Sequence, residues 1–337
     1  MPTRWTFMHR RAFLAFTASL CAAPSAFAQR SLDFAAAAAY SAERRGVSLL
    51  VLHQGRRTYE DYPNGGGSDR GWELASGTKS FTGVMAAAAV QDRLLAWHER
   101  AADTLVEWRD DALKSRITVR DLLSLTSGIG GGPIARPPTY ADAVATPAVA
   151  PVGERFSYGP TPFQIFGEIM RRKTGGDPLD YLHRRILDPL GIAPTFWRRG
   201  ADGMPHMPSG AGLTARDWAR FGQFVLDGGE GRVDRDALAQ CFLPSRANPG
   251  YGLSFWLLRE GLVPPGRSSG VEVDPRLEQR FGPISMAAGA GDQRLYLLPQ
   301  QNLVIARQAT GILAALTGRA RGPRWSDAEF LRIVLGA

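Results

Sequence analysis

The order of strand and helix patterns along the chain is the feature that most limits its possible folds. Strand patterns, with β-branched and alternating residues between turn residues, occur at 47–53, 56–62, 252–258, 284–288, 294–298 and 303–308. Helical patterns, many of them closed by Gly, occur at 31–45, 81–95, 118–125, 162–172, 180–187, 215–226 and 326–335. Strands at both ends of the chain predict one sheet that is interrupted by helices, and the first two strands predict a hairpin.

The first 28 residues have the pattern of an export signal. Arg4, Arg10 and Arg11 come first, an apolar run over 12–23 follows, and 26–28 supplies a small-x-small cleavage pattern. The two adjacent arginines also fit a twin-arginine signal, so this route and the general secretory route both stay open. We therefore predict a periplasmic or secreted protein of residues 29–337. No later stretch is long and apolar enough to span a bilayer, so stable membrane insertion is not expected after cleavage.

Composition argues against several classes of site. The 337 residues are 44% hydrophobic and 21% charged, as in a globular protein with a large core. Cys241 is the only cysteine outside the export signal, which leaves no intramolecular disulfide and no zinc site built from several cysteines. The five histidines lack metal-ligand spacing, and the net charge of +8 includes no basic run with interleaved aromatic residues. We expect no metal, no cofactor and no nucleic-acid partner.

The strongest local signal for chemistry is Ser76-Gly77-Thr78-Lys79. It stands at the start of a helix predicted to be buried all round, and residues three apart on a helix share a face. A lysine held in a desolvated site has a lowered pKa and accepts a serine proton, which arginine does not. The chain has only three lysines against 37 arginines. We interpret Ser76 as a nucleophile and Lys79 as its base; the alternative is a helix-capping serine followed by a solvated lysine.

Five sequence blocks resemble those of the serine β-lactamase and penicillin-recognising family, in particular its class C and esterase-like branch. The resemblance runs from about residue 35 to the end, and the blocks follow the family's order. They are WELASGTKS at 72–80, ITVRDLLSLTSG at 117–128, FSY at 156–158, LDPLG at 187–191 and GLTARD at 212–217. The resemblance implies an α+β fold of the β-lactamase/DD-peptidase type, with an antiparallel sheet flanked by helices. In this single domain, 29–80 and 241–337 form an α/β part and 81–240 an α-rich part, with the site between them.

The resemblance also implies the remaining site residues. Tyr158 takes the place of the tyrosine that acts with the lysine as general base, sharing the serine proton and later activating the deacylating water, and we expect the charge of Lys79 to lower its pKa. The oxyanion hole is implied to consist of the backbone N–H groups of Ser76 and Ala290. The third motif, on a substrate-binding strand, corresponds to Ala287, Ala288 and Gly289.

Two departures from the family bear on the substrate. Gly159-Pro160 follows Tyr158, so the asparagine that holds a substrate amide is missing. The third motif, usually Lys/His-Thr-Gly, contains no cation here. Because that motif meets the carboxylate of β-lactams, we rank hydrolysis of an ester or a small amide first. The alternatives are β-lactamase or D-amino-acid peptidase activity and, in another class, a non-catalytic binding or sensor protein on the same scaffold.

Three other motifs are interpreted as structural or coincidental. Lys173-Thr174-Gly175 lies at a helix end and Tyr62-Pro63-Asn64 at a strand end, which favours a C-cap and a turn. The stretch GRSSG at 266–270 matches the nucleophile elbow of α/β-hydrolases, which needs a preceding strand and a later histidine. No histidine follows Ser268, so we discard that class.

Overall fold

The computed structural model describes residues 32–266 and 269–337. The export signal predicted at 1–28 and Ser268 of the elbow-like stretch lie outside these residues, so both interpretations stay predictions. Over the described ranges, no helix combines the length and the apolar character that crossing a bilayer requires.

An antiparallel sheet of six strands, in the order β2-β1-β9-β8-β7-β6, forms the centre of the described fold. Its strands are β1 (Gly46–His53), β2 (Arg56–Asp61), β6 (Trp256–Leu257), β7 (Ser285–Gly289), β8 (Gln293–Leu298) and β9 (Leu303–Ala309). A smaller sheet in the order β3-β5-β4 consists of β3 (Trp72–Glu73), β4 (Phe196–Trp197) and β5 (Ala211–Leu213). The predicted antiparallel sheet and the β1–β2 hairpin are confirmed.

Helices fill most of the chain between β2 and β6 and flank the sheet elsewhere. Within the described ranges they are α1 (Phe34–Glu43), α2 (Lys79–Gln91), α3 (Ala101–Thr104), α4 (Val119–Leu123), α5 (Tyr140–Ala145), α6 (Thr161–Thr174), α7 (Pro178–Leu182), α8 (Ala215–Leu226), α9 (Arg235–Ala239), α10 (Pro275–Phe281), α11 (Ile312–Leu316) and α12 (Asp327–Leu335). Gly175 ends α6 in the left-handed conformation, which confirms the C-cap interpretation of Lys173-Thr174-Gly175.

The two faces of the sheet carry different helices. Leu295 of β8 and Val304 of β9 lie on one face, where Gly222 lets α8 approach so closely that an added Cβ would lie 2.7 Å from a Val304 methyl group. Tyr296, one residue on, points to the opposite face and stacks on Phe330 of α12, with ring centroids 5.4 Å apart. Both faces are therefore covered, which is why every residue of β7, β8 and β9 is buried.

The helix that follows Ser76 is surrounded by protein. All residues of α2 from Lys79 to Ala89 are buried, and α2 packs against α7 and α9. The many alanines of this helix let its neighbours approach on every side. The helix buried all round that the sequence predicts is confirmed, although it ends at Gln91 and not near residue 95.

Two local predictions are wrong in extent. The strand predicted over 252–258 is reduced to β6, because a tight turn joins Gly252 N–H to the Phe255 carbonyl and Ser254 has a φ of 78°. The helix predicted over 180–187 is α7 followed by a turn of π-helix over His183–Leu187. The three strands of the smaller sheet are two or three residues long and were not predicted.

Candidate active site

Ser76 lies in a 3-10 turn, Ala75–Thr78, that joins β3 to α2. The smaller sheet fixes this turn: Leu74 N–H donates to the Ala211 carbonyl (2.9 Å), and Ala211 N–H donates to Thr78 Oγ1 (3.1 Å). Ala75 adopts a φ of 46°, a conformation that side chains other than glycine rarely take. The strained, sheet-anchored turn leaves Ser76 only 9% exposed.

Lys79, the first residue of α2, lies next to Ser76. Its Nζ is 3.1 Å from Ser76 Oγ and 3.2 Å from the Pro208 carbonyl oxygen, and the side chain is 3% exposed. Burial lowers the pKa of Lys79 to about 7. Among the described residues no carboxylate forms an ion pair with Lys79, so no opposite charge offsets the cost of burying its charge. At neutral pH a large fraction of Lys79 is therefore uncharged and able to accept a proton.

Tyr158 precedes α6, and its ring faces the same two residues. Lys79 Nζ lies 4.9 Å from the ring centroid, and the phenol is close enough to Ser76 for a hydrogen bond to act on its pKa. Burial nevertheless raises the pKa of Tyr158 to about 12, with Ser76 and the charge of Arg294 acting in the opposite direction. The expectation of a lowered pKa is wrong, because desolvation of the buried phenol outweighs the groups that lower its pKa. At neutral pH the Tyr158 phenol therefore keeps its proton, whereas Lys79 is partly deprotonated.

The loop that carries Tyr158 is held by the second sequence block. Ser157 N–H donates to the Leu125 carbonyl (2.9 Å), and Gly131 N–H donates to Ser157 Oγ (2.9 Å). Gly131 and Gly159 pack backbone against backbone, since a Cβ added at Gly159 would lie 2.1 Å from the Gly131 carbonyl oxygen. The side-chain amide that the family places after the tyrosine is replaced here by close backbone packing.

Ala287, Ala288 and Gly289 lie on β7, and this strand passes directly beside the Ser76 turn. A Cβ at Gly289 would lie 2.1 Å from the Leu74 carbonyl oxygen, so only glycine allows this approach. Ala290 follows β7 and lines the same cavity as Ser76. The Ser76 N–H lies in the first turn of a helix, where backbone donors lack an intrahelical acceptor. Both implied oxyanion donors therefore border one cavity.

A cavity of about 140 Å³ opens at Ser76. Its apolar wall is formed by Ile134, Trp256, Val271, Ala315 and Leu316. Trp256 in turn packs on Tyr158, with ring centroids 5.3 Å apart. The space next to the serine is thus small and largely apolar. In the described part of the chain, no cluster of three or more His, Cys, Asp or Glu side chains is placed to hold a metal ion.

Arg294 is the site residue that sequence reasoning missed. It stands on β8 opposite Ala288, lines the cavity and is 1% exposed. The third motif itself has no cation, as the sequence shows, but the neighbouring strand β8 places one beside it. The sequence signal that could have found Arg294 is a charged residue in a largely apolar strand. Its partner Asp327 lies on α12, with Oδ1 2.8 Å from Arg294 Nε, and this pairing could not be predicted from the sequence.

Comparison with known proteins identifies the family of this chain. The family model described as Beta-lactamase matches residues 33–311, which is most of the chain. The chain belongs to the Beta-lactamase family. This family is one of serine hydrolases, and the β-lactamase-like α+β fold predicted from the sequence blocks is confirmed.

Solved structures with the Beta-lactamase family fold are similar at low identity. The penicillin-binding protein homologue of Pyrococcus abyssi is 18% identical, with 86% of this chain and 78% of that chain covered and a TM-score of 0.64. A penicillin-binding protein homologue of Caulobacter crescentus is 18% identical (81% and 91% covered, TM-score 0.62). EstCE1, a hydrolase with promiscuous acyltransferase activity, is 14% identical (89% and 94% covered, TM-score 0.65). A search of curated proteins gave no match.

Proposed function

We propose that this protein is a serine hydrolase that cleaves a carboxylic ester or small amide through an acyl-enzyme. The observation that carries the proposal is the pair of Lys79 Nζ and Ser76 Oγ, 3.1 Å apart, with burial holding the lysine pKa at about 7. A neutral amine in contact with a serine hydroxyl is a general base for nucleophilic attack.

In the proposed acylation step, Ser76 Oγ attacks the acyl carbon and its proton passes to Lys79. The negative charge on the carbonyl oxygen is held by the N–H groups of Ser76 and Ala290. Tyr158, neutral with a pKa of about 12, donates its proton to the departing alkoxide or amine and regains one from Lys79. In the second half, water attacks the acyl carbon while Lys79 takes a proton from it, and this proton passes to Ser76 Oγ as the bond between the acyl carbon and Oγ breaks, so that the free acid and the Ser76 hydroxyl are released.

The cavity favours a short acyl group. Its volume of about 140 Å³ and its apolar wall suit a small aliphatic acyl chain. Arg294, the cation beside the third-motif strand, already donates to Asp327 and to three carbonyl oxygens and is therefore a poor anchor for a substrate carboxylate. This supports ester or small-amide substrates over β-lactams and carboxyl-terminal peptides. The esterase-like neighbour EstCE1 agrees with this preference.

The cellular location is part of the proposal. We propose that the enzyme works in the periplasm or outside the cell on small-molecule esters or amides, and the export pattern of residues 1–28 supports this location.

The test compares p-nitrophenyl acetate and butyrate with nitrocefin, and uses intact-mass measurement to detect an acyl adduct. We expect ester turnover and little nitrocefin cleavage, with a loss of at least 1,000-fold in Ser76→Ala. Ser80→Ala is the matched control, because Ser80 is a buried serine one turn further on whose hydroxyl donates only to the Gly77 carbonyl. It should keep its activity.

Three outcomes would change the assignment. Full activity in Ser76→Ala would remove Ser76 as nucleophile. Fast nitrocefin cleavage would make the protein a β-lactamase. A stable adduct on Ser76 without turnover would favour the binding or sensor protein.

A further inference from the structure

Arg294 and Asp327 form a buried ion pair behind the active site. Their side chains are 1% and 0% exposed, and Arg294 Nε donates to Asp327 Oδ1 over 2.8 Å. Trp325 Nε1 donates to the same oxygen (2.7 Å), and the Tyr296 hydroxyl also donates to it. Burying an ion pair costs free energy unless its other donors and acceptors also form hydrogen bonds. The remaining hydrogen bonds of the guanidinium group therefore show which parts of the backbone the pair holds in place.

One of these contacts reaches the residue before the implied oxyanion donor. Arg294 Nη1 donates to the Gly289 carbonyl oxygen (3.2 Å), and Nη2 donates to the Ser269 carbonyl oxygen (2.9 Å). Gly289 pairs with Gln293 at the end of the β7–β8 ladder, and its carbonyl accepts a hydrogen bond from Arg294, which stands on β8, so this carbonyl faces β8. In a trans peptide the carbonyl of one residue and the N–H of the next point in opposite directions. The Ala290 N–H is therefore turned away from β8.

Ser76 and Ala290 line the same cavity beside β7. β6 pairs only with Ser285 and Met286, so the strand edge at Ala287 to Ala290 has no strand partner among the described residues. The Ser76 turn packs on β7 next to that edge, where Gly289 is pressed against the Leu74 carbonyl. The contact of Arg294 with Gly289 thus fixes which way the Ala290 N–H points at the cavity.

We propose that Arg294, held by Asp327, is a positioning residue that orients and polarises the Gly289–Ala290 peptide so that Ala290 N–H serves as an oxyanion donor. A cation at the carbonyl oxygen of a peptide strengthens its N–H as a donor, because hydrogen bonds in series polarise one another. Arg294 acts through this peptide, because its guanidinium group already donates to Asp327 and to backbone carbonyl oxygens. The inference rests on the proposed function, because an oxyanion hole has meaning only if Ser76 forms an acyl-enzyme.

The test measures acylation of full-length protein by an ester and by the matching thionoester, in which sulfur replaces the carbonyl oxygen. Sulfur is a weaker acceptor, so an intact oxyanion hole favours the ester strongly, whereas a general loss of folded enzyme lowers both rates equally. In Arg294→Gln we expect the ester rate to fall about 10- to 100-fold, less than the loss of a whole oxyanion donor. The thionoester rate should fall much less, and KM should change less than about threefold. Arg294→Lys should recover part of the ester rate.

Tyr296→Phe is the matched control. It removes a hydrogen bond to the same Asp327 oxygen but has no contact with Gly289. We expect it to lower the melting temperature without changing the ester-to-thionoester ratio. Asp327→Asn removes the partner of the guanidinium group, and its ester rate should lie between those of wild type and Arg294→Gln. If Arg294→Gln does not fold, Asp327→Asn and Arg294→Lys serve as the test variants.

The outcomes separate the two proposals. If wild type neither turns over an ester nor forms an adduct, the proposed function fails and this inference fails with it. If wild type is active and folded Arg294 variants keep its ester rate within about threefold, or lose both rates in equal proportion, the positioning role of Arg294 is refuted and the proposed function stands.

Discussion

Replacing Lys79 by methionine should stabilise the protein at neutral pH while abolishing activity. Burial lowers the pKa of Lys79 from 10.5 to about 7, so at pH 7 the folded state is disfavoured by about 4 kcal/mol relative to an unfolded chain with an ordinary lysine. Methionine removes this cost but also the two hydrogen bonds of Nζ, each contributing about 1 kcal/mol. The expected net gain for Lys79→Met at pH 7 is about 2 kcal/mol.

The sign of the pH dependence follows from proton binding. Between pH 7 and pH 10.5 the unfolded chain holds the Lys79 proton and the folded chain does not, so wild-type stability rises with pH. The slope from this group is at most about 1.4 kcal/mol per pH unit. Lys79→Met has no lysine to titrate and lacks this pH dependence. Its gain in the free energy of unfolding over wild type should therefore shrink from pH 7 upward and disappear near pH 9.

The assay is urea unfolding of wild type and Lys79→Met at pH 6, 7, 8 and 9, followed by circular dichroism and tryptophan fluorescence. Ser76→Ala serves as a control, because it keeps the buried lysine and should keep the wild-type pH dependence. A stability difference between wild type and Lys79→Met that is the same at all four pH values would refute the claim that Lys79 is buried with a lowered pKa.

Two further predictions concern the rate and the approach of β7 to the Ser76 turn. The acylation rate with p-nitrophenyl acetate should rise about tenfold per pH unit below pH 7 and level off above it, as Lys79 loses its proton; a profile that is flat from pH 5 to 9 would exclude Lys79 as the base. Gly289→Ala should cost about 1–3 kcal/mol of stability and most of the esterase activity, because its Cβ would lie 2.1 Å from the Leu74 carbonyl oxygen. Gly176→Ala is the control, because Gly176 is exposed and has open space around it. An equal effect of the two substitutions in thermal melts and rate assays would contradict the packing argument.

Local signals predicted the parts of the site that are close in sequence. Ser76 and Lys79 are three residues apart at a helix start, and that spacing alone predicts contact. The helix after them was predictable because apolar residues occupy all its faces. Strand β7 was predicted at 284–288 from its strand pattern, and the structure places it at Ser285–Gly289.

Properties that depend on tertiary packing could not be predicted in the same way. The pKa of Tyr158 was expected to be lowered, but burial of the phenol raises it. The depth of this burial does not show in the sequence. Arg294 and Asp327 are 33 residues apart on different elements, and neither carries a local motif. The smaller sheet depends on pairs such as Trp72 with Leu213, which only the folded chain brings together.

The short length of β6 also bears on the behaviour of the protein in solution. A strand edge without a partner is a template on which another chain can add a strand, and such edges promote association and aggregation. Beyond Met286 the edge of β7 has no strand partner among the described residues, but the Ser76 turn packs beside it through the contact of Gly289 with Leu74. The packing that builds the active site therefore also shields the sheet, so substitutions that loosen it should make the protein prone to self-association as well as inactive.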